Sequence, residues 1–297
     1  MYYTLNQYLK ETFGEKVWKI PVNAGFTCPN RSGEKATGGC IYCDCSSFTH
    51  TENGNIKNQV LKRIEKLRKK NINKFIVYFQ SGTNTYGNFS VIKEKIYSSL
   101  VDSDIVGLHI GTRPDCINNE LINFFVKLDK NYQITVELGL QSSNDKTLKF
   151  INRGHSSEDF TKACEKLRKA GLKICAHIIL GLPGETEEDM LRTISFLNSN
   201  KVDSVKFHHL HIIKNTPLAK LYENKKIQIL KEDEYIKILA ESIARLPKKT
   251  IIARLVGDAP QNMLVAPDWP DSKIAFLNKL DTYMINNNLF QGKFNKT

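Results

Sequence analysis

Apolar residues along the chain gather into short runs that alternate with amphipathic stretches. The runs at 17–22 (VWKIPV), 74–80 (KFIVYFQ), 105–111 (IVGLHIG), 134–140 (ITVELGL), 172–180 (LKICAHIIL) and 203–210 (DSVKFHHL) predict six strands. Each is short and largely apolar, as strands of a parallel sheet covered on both faces are. Between them, residues 55–70 place Ile56, Val60, Leu61, Ile64 and Leu67 on one helical face. Residues 156–170 open on Ser156 and Ser157, then Glu158 and Asp159, and Gly171 follows as a helix stop. Residues 185–198 begin with Glu185, Glu187, Glu188 and Asp189, which suits a helix N-terminus. From the second strand onward, strand centres recur about every 30–40 residues, the length of one βα unit. Six such units are too few to close an eight-stranded barrel. The pattern therefore predicts an α/β fold, a partial (β/α)6 TIM-like barrel.

Beyond residue 215 the pattern turns helical, at 217–223, 231–246 and 271–289, interrupted by the loop GDAPQNMLVAPDWP at 257–270. Long loops within compact chains tend to be functional. With no Pro/Gly/Ser-rich linker and no low-complexity segment, the chain reads as a single domain. It divides into an N-terminal extension (1–16), a barrel (17–215) and a C-terminal helical cap and loop (216–297).

Composition narrows the class. Of 297 residues, 41% are hydrophobic and 25% charged, ordinary globular usage that argues against a disordered or fibrous chain. No apolar run approaches the roughly 18 residues needed to span a bilayer. The opening MYYTLNQYLKETFGEK is polar and mixed in charge, unlike a signal peptide. A cytoplasmic protein with no membrane partner is expected. The net charge of +12 points to an anionic partner, nucleic acid first. The Lys-, Asn- and Ile-rich composition is also what A+T-rich coding sequence gives, so charge alone leaves both readings open.

The seven cysteines change the picture most. They fall at 28, 40, 43, 45, 116, 164 and 175, an odd number with no export signal, which argues against a disulfide framework. Four crowd into NAGFTCPNRSGEKATGGCIYCDCSSF with the spacing Cys28-x11-Cys40-x2-Cys43. A CxxC pair holds two thiolates near a common point, and a third from a Gly-rich loop completes a tripod. On a four-iron four-sulfur cluster, such a tripod leaves one iron open to a small molecule. The alternative is a structural zinc site using Cys28, Cys40, Cys43 and Cys45. The close Cys43–Cys45 spacing counts against it, since paired zinc thiolates usually have at least two residues between them. Cys116, Cys164 and Cys175 are dispersed and read as core thiols.

CPNRSG…GGCIYC after the first strand, GTRPD after the third, VELGLQS at the fourth and NRGHS beyond it resemble the radical S-adenosylmethionine (radical SAM) superfamily. They are most similar to its Elongator-catalytic-subunit-like branch. KIPVNAGFTCPNR and GDAPQNMLVAPDW are similar to YhcC/YtqA-type proteins over nearly the whole chain. The eleven residues between the first two cysteines depart from the superfamily's usual three, as the Elongator-like branch also does. The acetyltransferase half of the Elongator subunit has no counterpart here, so acetyl transfer is not expected.

The resemblance implies one 4Fe-4S cluster on Cys28, Cys40 and Cys43, and S-adenosylmethionine on its open iron, cleaved reductively to a 5′-deoxyadenosyl radical. It implies that Tyr42 packs beside the adenine, or stands as a loop aromatic. The SAM amino group falls to Gln80, Ser81, Gly82 or Asn84, in a segment that lacks the usual Gly-Gly-Glu. Arg113 and Glu137 stand at strand ends, where barrels carry function. Glu137 either receives the ribose or amino group or pairs with Arg113. Gln141 faces the ribose or the methionine carboxylate. Arg153 holds that carboxylate or a phosphate. His177, in HIILGLPGE, borders the adenine, and backbone at Leu210, His211 and Ile212 pairs with its edge. His209 and His211 share one strand face and His208 takes the other, a weak pattern for a metal.

The branch implies tRNA as the partner, with conversion of a carboxymethylaminomethyl group on C5 of the wobble uridine towards aminomethyl. A reducing donor such as flavodoxin or ferredoxin is implied too. A small metabolite or peptide substrate, or a non-catalytic iron–sulfur RNA-binding protein, are the alternatives. Phosphate contacts would come from Arg31, Lys35, Lys206, Lys214 and Arg254.

Overall fold

The computed structural model describes residues 1–35, 37–44 and 55–295; Cys45 lies outside them. Its strands are β1 (Val17–Val22), β2 (Lys74–Phe79), β3 (Ile105–Thr112), β4 (Gln133–Gln141), β5 (Lys173–Leu180), β6 (Ser204–His209), β7 (Ile212–Ile213), β8 (Ile251–Arg254) and β9 (Leu264–Ala266). Its helices are α1 (Leu5–Phe13), α2 (Pro29–Ser32), α3 (Ile56–Arg68), α4 (Phe89–Tyr97), α5 (Asn119–Asp129), α6 (Asp145–Phe150), α7 (Ser157–Lys169), α8 (Glu187–Ser199), α9 (Pro217–Glu223), α10 (Glu232–Arg245) and α11 (Lys273–Asn286).

Seven parallel strands form the main sheet in the order β1-β2-β3-β4-β5-β6-β8, curled into a half-barrel. The six predicted strands stand within two residues of their expected ends. The seventh is a correction. β8 comes from the stretch expected to be helical cap, because its four-residue apolar run IIAR is too short to stand out between helices. The segment expected as a plain extension starts with α1, where Thr4 and Gln7 form a reciprocal capping box.

One face of the sheet is apolar. Ile20, Val77, Phe79, Leu108, Ile110, Val136, Leu138, Ile178, Val205 and Phe207 are buried there within the main core, which also takes in helix residues such as Val60, Ile96, Phe125, Phe160, Ile194 and Leu239. That burial drives the fold, at about 25 cal/mol per Å² of apolar surface removed from water. No helix among the described residues is long and apolar enough to cross a membrane.

Candidate functional site

Each strand of the half-barrel contributes a polar side chain to the other face. Lys19, Tyr78, His109, Glu137, His177, Lys206 and Arg254 come in turn from β1, β2, β3, β4, β5, β6 and β8. Glu137 is the hub. Its Oε1 accepts from Lys19 Nζ at 2.8 Å and lies 2.6 Å from His109 Nδ1, while its Oε2 lies 2.7 Å from His177 Nε2 and accepts from Lys206 Nζ. Lys206 also donates to the Tyr78 hydroxyl at 3.0 Å. Burial opposes the charge of Glu137, but Lys19 and Lys206, with bonds from His109 and His177, hold its pKa well below the usual carboxylate range. Burial, together with the cations Lys206 and Lys19 respectively, lowers His177 and His109 to about 4 each, so both imidazoles are neutral at pH 7.

This belt was missed in the sequence, although its signal is there: one polar residue near the middle of each apolar strand. It also bears on what Glu137 and Arg113 contact. Four barrel side chains contact the two Glu137 oxygens, while Glu137 also borders the cavity that the loop cysteines line. Arg113 does not pair with Glu137 either. Its Nε donates to Asp115 Oδ1 at 2.9 Å and its Nη1 to the Arg153 carbonyl at 2.7 Å. Lys206, expected on an RNA-facing surface, is buried in the belt.

The cysteine loop leaves β1 at its C-terminal end. The Cys28 carbonyl accepts from the amides of Arg31 and Ser32, which starts the short α2. The Cys43 amide bonds the Cys40 carbonyl at 3.0 Å, closing a turn that sets the two residues side by side. The NRGHS segment braces this loop. Asn152 Nδ2 donates to the carbonyls of Thr37 at 2.9 Å and Gly39 at 2.8 Å, and the Ile41 amide bonds the Ile151 carbonyl at 3.1 Å. Asn30 Nδ2 lies 3.5 Å from Cys40 Sγ, and Arg153 Nη1 lies 3.6 Å from the same sulfur. Gly154 is required here. Its φ is +71°, and a Cβ would stand 2.1 Å from Asn30 Oδ1.

Two adjoining cavities open at the strand ends. One, of about 210 Å³, is lined by Cys28, Cys40 and Cys43 together with Arg113, Gly139 and Arg153. The other, of about 260 Å³, is lined by Tyr78, Ser81, His208, Leu210, His211 and Arg254. Tyr42, Cys43, Gln80, Gly82, Gln141 and His177 border both. Gln141 has a positive φ of 76° where the β4–β5 register shifts, a strained position of the kind found at ligand sites. Gly82 has φ +77°, and a Cβ there would meet the Phe26 carbonyl at 2.3 Å.

Two expected residues stand away from these cavities. Asn84 is buried and spends its Nδ2 on the carbonyls of Phe79 at 3.1 Å and Gly111 at 2.8 Å, tying β2 to β3. Ile212 is fully buried in a second apolar cluster with Leu148 and Leu218. His209 and His211 share a face as expected, their Nε2 atoms 2.8 Å apart. The dispersed thiols Cys164 and Cys175 are buried, whereas Cys116 is half-buried beside Asp115.

Among the described residues the loop thiols do not close round a single zinc, and Cys45 lies outside them. Thiolates about 2.3 Å from a tetrahedral zinc stand about 3.8 Å apart. Among the described residues, the ligand trio within 4.8 Å of one another is Glu137, Cys175 and His177, not the loop cysteines. In that trio the lysines already fill the carboxylate, so it fits no cation. The loop thiols fit a larger group. They share one cavity, Cys40 receives two N–H donors, and Arg153 Nε is buried with no partner. Burial opposes the charge of Arg153, but Tyr42 and the Cys40 and Cys28 thiols raise its pKa above the ordinary value, which keeps the guanidinium charged.

Comparison with known proteins agrees with this geometry. The profile of the radical SAM superfamily matches residues 28–197, and that of the radical SAM C-terminal domain matches 202–286. YtqA of Bacillus subtilis is 35% identical over 99% of this chain and 92% of its own length. The tRNA uridine(34) acetyltransferase of Methanocaldococcus infernus is 34% identical over 54% of this chain, which spans 30% of that protein. The solved structure of the archaeal Methanocaldococcus infernus Elp3 with an N-terminal deletion superposes with a TM-score of 0.73 at 24% identity. It covers 93% of this chain, which spans 64% of that structure.

Proposed function

The chain belongs to the radical SAM superfamily, and from that premise we propose that it modifies the C5 side chain of the wobble uridine in tRNA, taking carboxymethylaminomethyl towards aminomethyl. The superfamily's 4Fe-4S cluster and S-adenosylmethionine, when bound, supply a one-electron cleavage of the sulfonium that yields a 5′-deoxyadenosyl radical. A reducing donor of the flavodoxin or ferredoxin kind serves this step.

In this reading, Cys28, Cys40 and Cys43 hold the cluster. Asn30 and Arg153 donate to the Cys40 sulfur and hold it in place. The unpartnered Arg153 Nε turns to the methionine carboxylate. Gln80, Ser81 and Gly82 offer carbonyl oxygens to the amino group. Gln141 meets the ribose, while Tyr42, Leu210 and His211 bracket the adenine. Glu137 orients His177 and keeps the barrel interior dry and fixed. Arg31, Lys35 and Lys214 are exposed and receive tRNA phosphates.

The observation that carries the reading is that three thiols of one loop share a single cavity with a charged, unfilled guanidinium at the ends of barrel strands. The likeness to a tRNA uridine(34) acetyltransferase supports wobble uridine as the target. Mass spectrometry of tRNA nucleosides from a strain lacking the protein tests it. Accumulation of the carboxymethylaminomethyl nucleoside at the expense of the aminomethyl form is expected, and an unchanged nucleoside profile overturns the proposal.

A further inference from the structure

Arg254 pairs in register with Lys206 across the β6–β8 ladder, so two cations sit opposite one another on neighbouring strands. Like charges so placed repel and are destabilising. Lys206 has its counter-ion in Glu137, but Glu137 is filled by Lys19, Lys206, His109 and His177. Arg254 makes no ion pair or hydrogen bond among the described residues, and its half-buried side chain lines the 260 Å³ cavity. Its neighbours there offer no carboxylate in contact. Tyr78 is a neutral phenol; His208 is held neutral by burial and by Arg254 itself. Asp258 stands at the exposed rim of the same cavity and forms no ion pair with Arg254 among the described residues. The interior beyond the cysteine cavity thus sets Lys19, Arg254 and Lys206, whose pKa burial lowers to about 7, against one buried carboxylate.

We propose that Arg254 is the anchor for a carboxylate carried by the substrate's reacting side chain, bound in the cavity between Tyr78, His208 and His211. The inference rests on the wobble-uridine reading, and it deepens it by naming the group that the chain recognises. A guanidinium fork grips a carboxylate through two parallel N–H donors. Arg254 lies at the C-terminal end of its strand, on the cavity that Tyr42, Cys43 and Gln80 also border. A carboxylate held there sets the side chain's position relative to the cysteine loop, and a side chain lacking it has no fixed register.

The test uses the reconstituted protein with S-adenosylmethionine and anticodon stem-loops that differ only at the wobble position, one carrying carboxymethylaminomethyl and the other methylaminomethyl. The wild type is expected to bind the carboxylate-bearing stem-loop about 10- to 100-fold more tightly, the scale of a charged, paired hydrogen bond. Arg254→Met should erase that preference. Arg254→Lys, which keeps the charge without the fork, should retain a part of it and serves if the methionine variant does not fold. Equal binding of both stem-loops by the wild type, or a preference that survives in Arg254→Met and Arg254→Lys alike, overturns the proposal. So does an equal weakening of both stem-loops by Arg254→Met, which assigns the residue to a backbone phosphate. Turnover separates this from the broader reading. A wild type that prefers the carboxylate yet leaves the tRNA unmodified sinks the reaction and keeps the anchor. A wild type that converts the tRNA, with KM unchanged in Arg254→Met, sinks the anchor and keeps the reaction.

Discussion

Around Glu137, four barrel side chains meet the two carboxylate oxygens and complete them. Around Cys40, by contrast, Asn30 and Arg153 reach towards a sulfur, while Asn30 Oδ1 and Arg153 Nε meet nothing. Buried polar groups are normally satisfied, so the two regions differ in purpose. The Glu137 carboxylate is met by its neighbours on folding alone. The loop is finished only by a group from outside, of a size that three spread thiols can share. A charged residue inside a barrel is therefore not by itself a sign of cofactor contact; what counts is whether its lone pairs and protons are already used.

The sharpest way to break this contrast is to remove one thiol. Cys40→Ala should abolish cluster retention and lower reductive SAM cleavage by at least about 10³-fold, while leaving the belt and the global fold in place. Iron analysis and circular dichroism of the purified variant check both halves. A variant that retains a full cluster removes Cys40 from the ligand set.

Glu137→Gln probes the other region. It keeps the shape but leaves buried Lys206 and half-buried Lys19 without their counter-ion, and roughly 3–5 kcal/mol of stability should be lost. Urea unfolding measures it. If stability holds and only SAM affinity falls, Glu137 is a cofactor ligand after all.

Gly154→Ala couples the regions through geometry. The new methyl meets Asn30 Oδ1 at a left-handed φ, so about 1–3 kcal/mol of stability should be lost, with weaker cluster loading. Normal loading at wild-type stability argues that Asn30 does not hold the loop.

Acid should weaken the belt step by step. His109 and His177 titrate at about 4 in the fold against 6.5 unfolded. As pH falls from 6.5 towards 4, the unfolded chain binds protons that the fold refuses, and stability declines. Glu137 acts in the same sense lower down, since its folded pKa lies below 4.5 and its contribution is lost as pH falls through that range. A thermal midpoint that stays level between pH 6.5 and 4 contradicts the neutral-imidazole belt.

Much of the architecture was legible because local chemistry determines it. KFIVYF and ITVEL are apolar enough to be strands in any context, and Ser156 with Asp159 caps α7 in the predicted place. The cysteine loop was legible from spacing, since CxxC forces two thiols together. The partners of charged side chains were not. Whether Glu137 meets Arg113 or Lys206 depends on strand register, which a hydrophobic run does not encode. β8 escaped for a related reason: Ile251–Arg254 is a strand only because the edge of β6 is there to pair with it. Arg153 shows both limits, for its motif announced a functional arginine while its bonds to Gly139 and Cys40 came only with the fold.

Anaerobic reconstitution followed by dithionite reduction in the presence of S-adenosylmethionine tests the cysteine loop most directly. The protein should take up about four irons, absorb broadly near about 400 nm, and release 5′-deoxyadenosine together with methionine. A colourless chain that binds one zinc and releases neither product would contradict it.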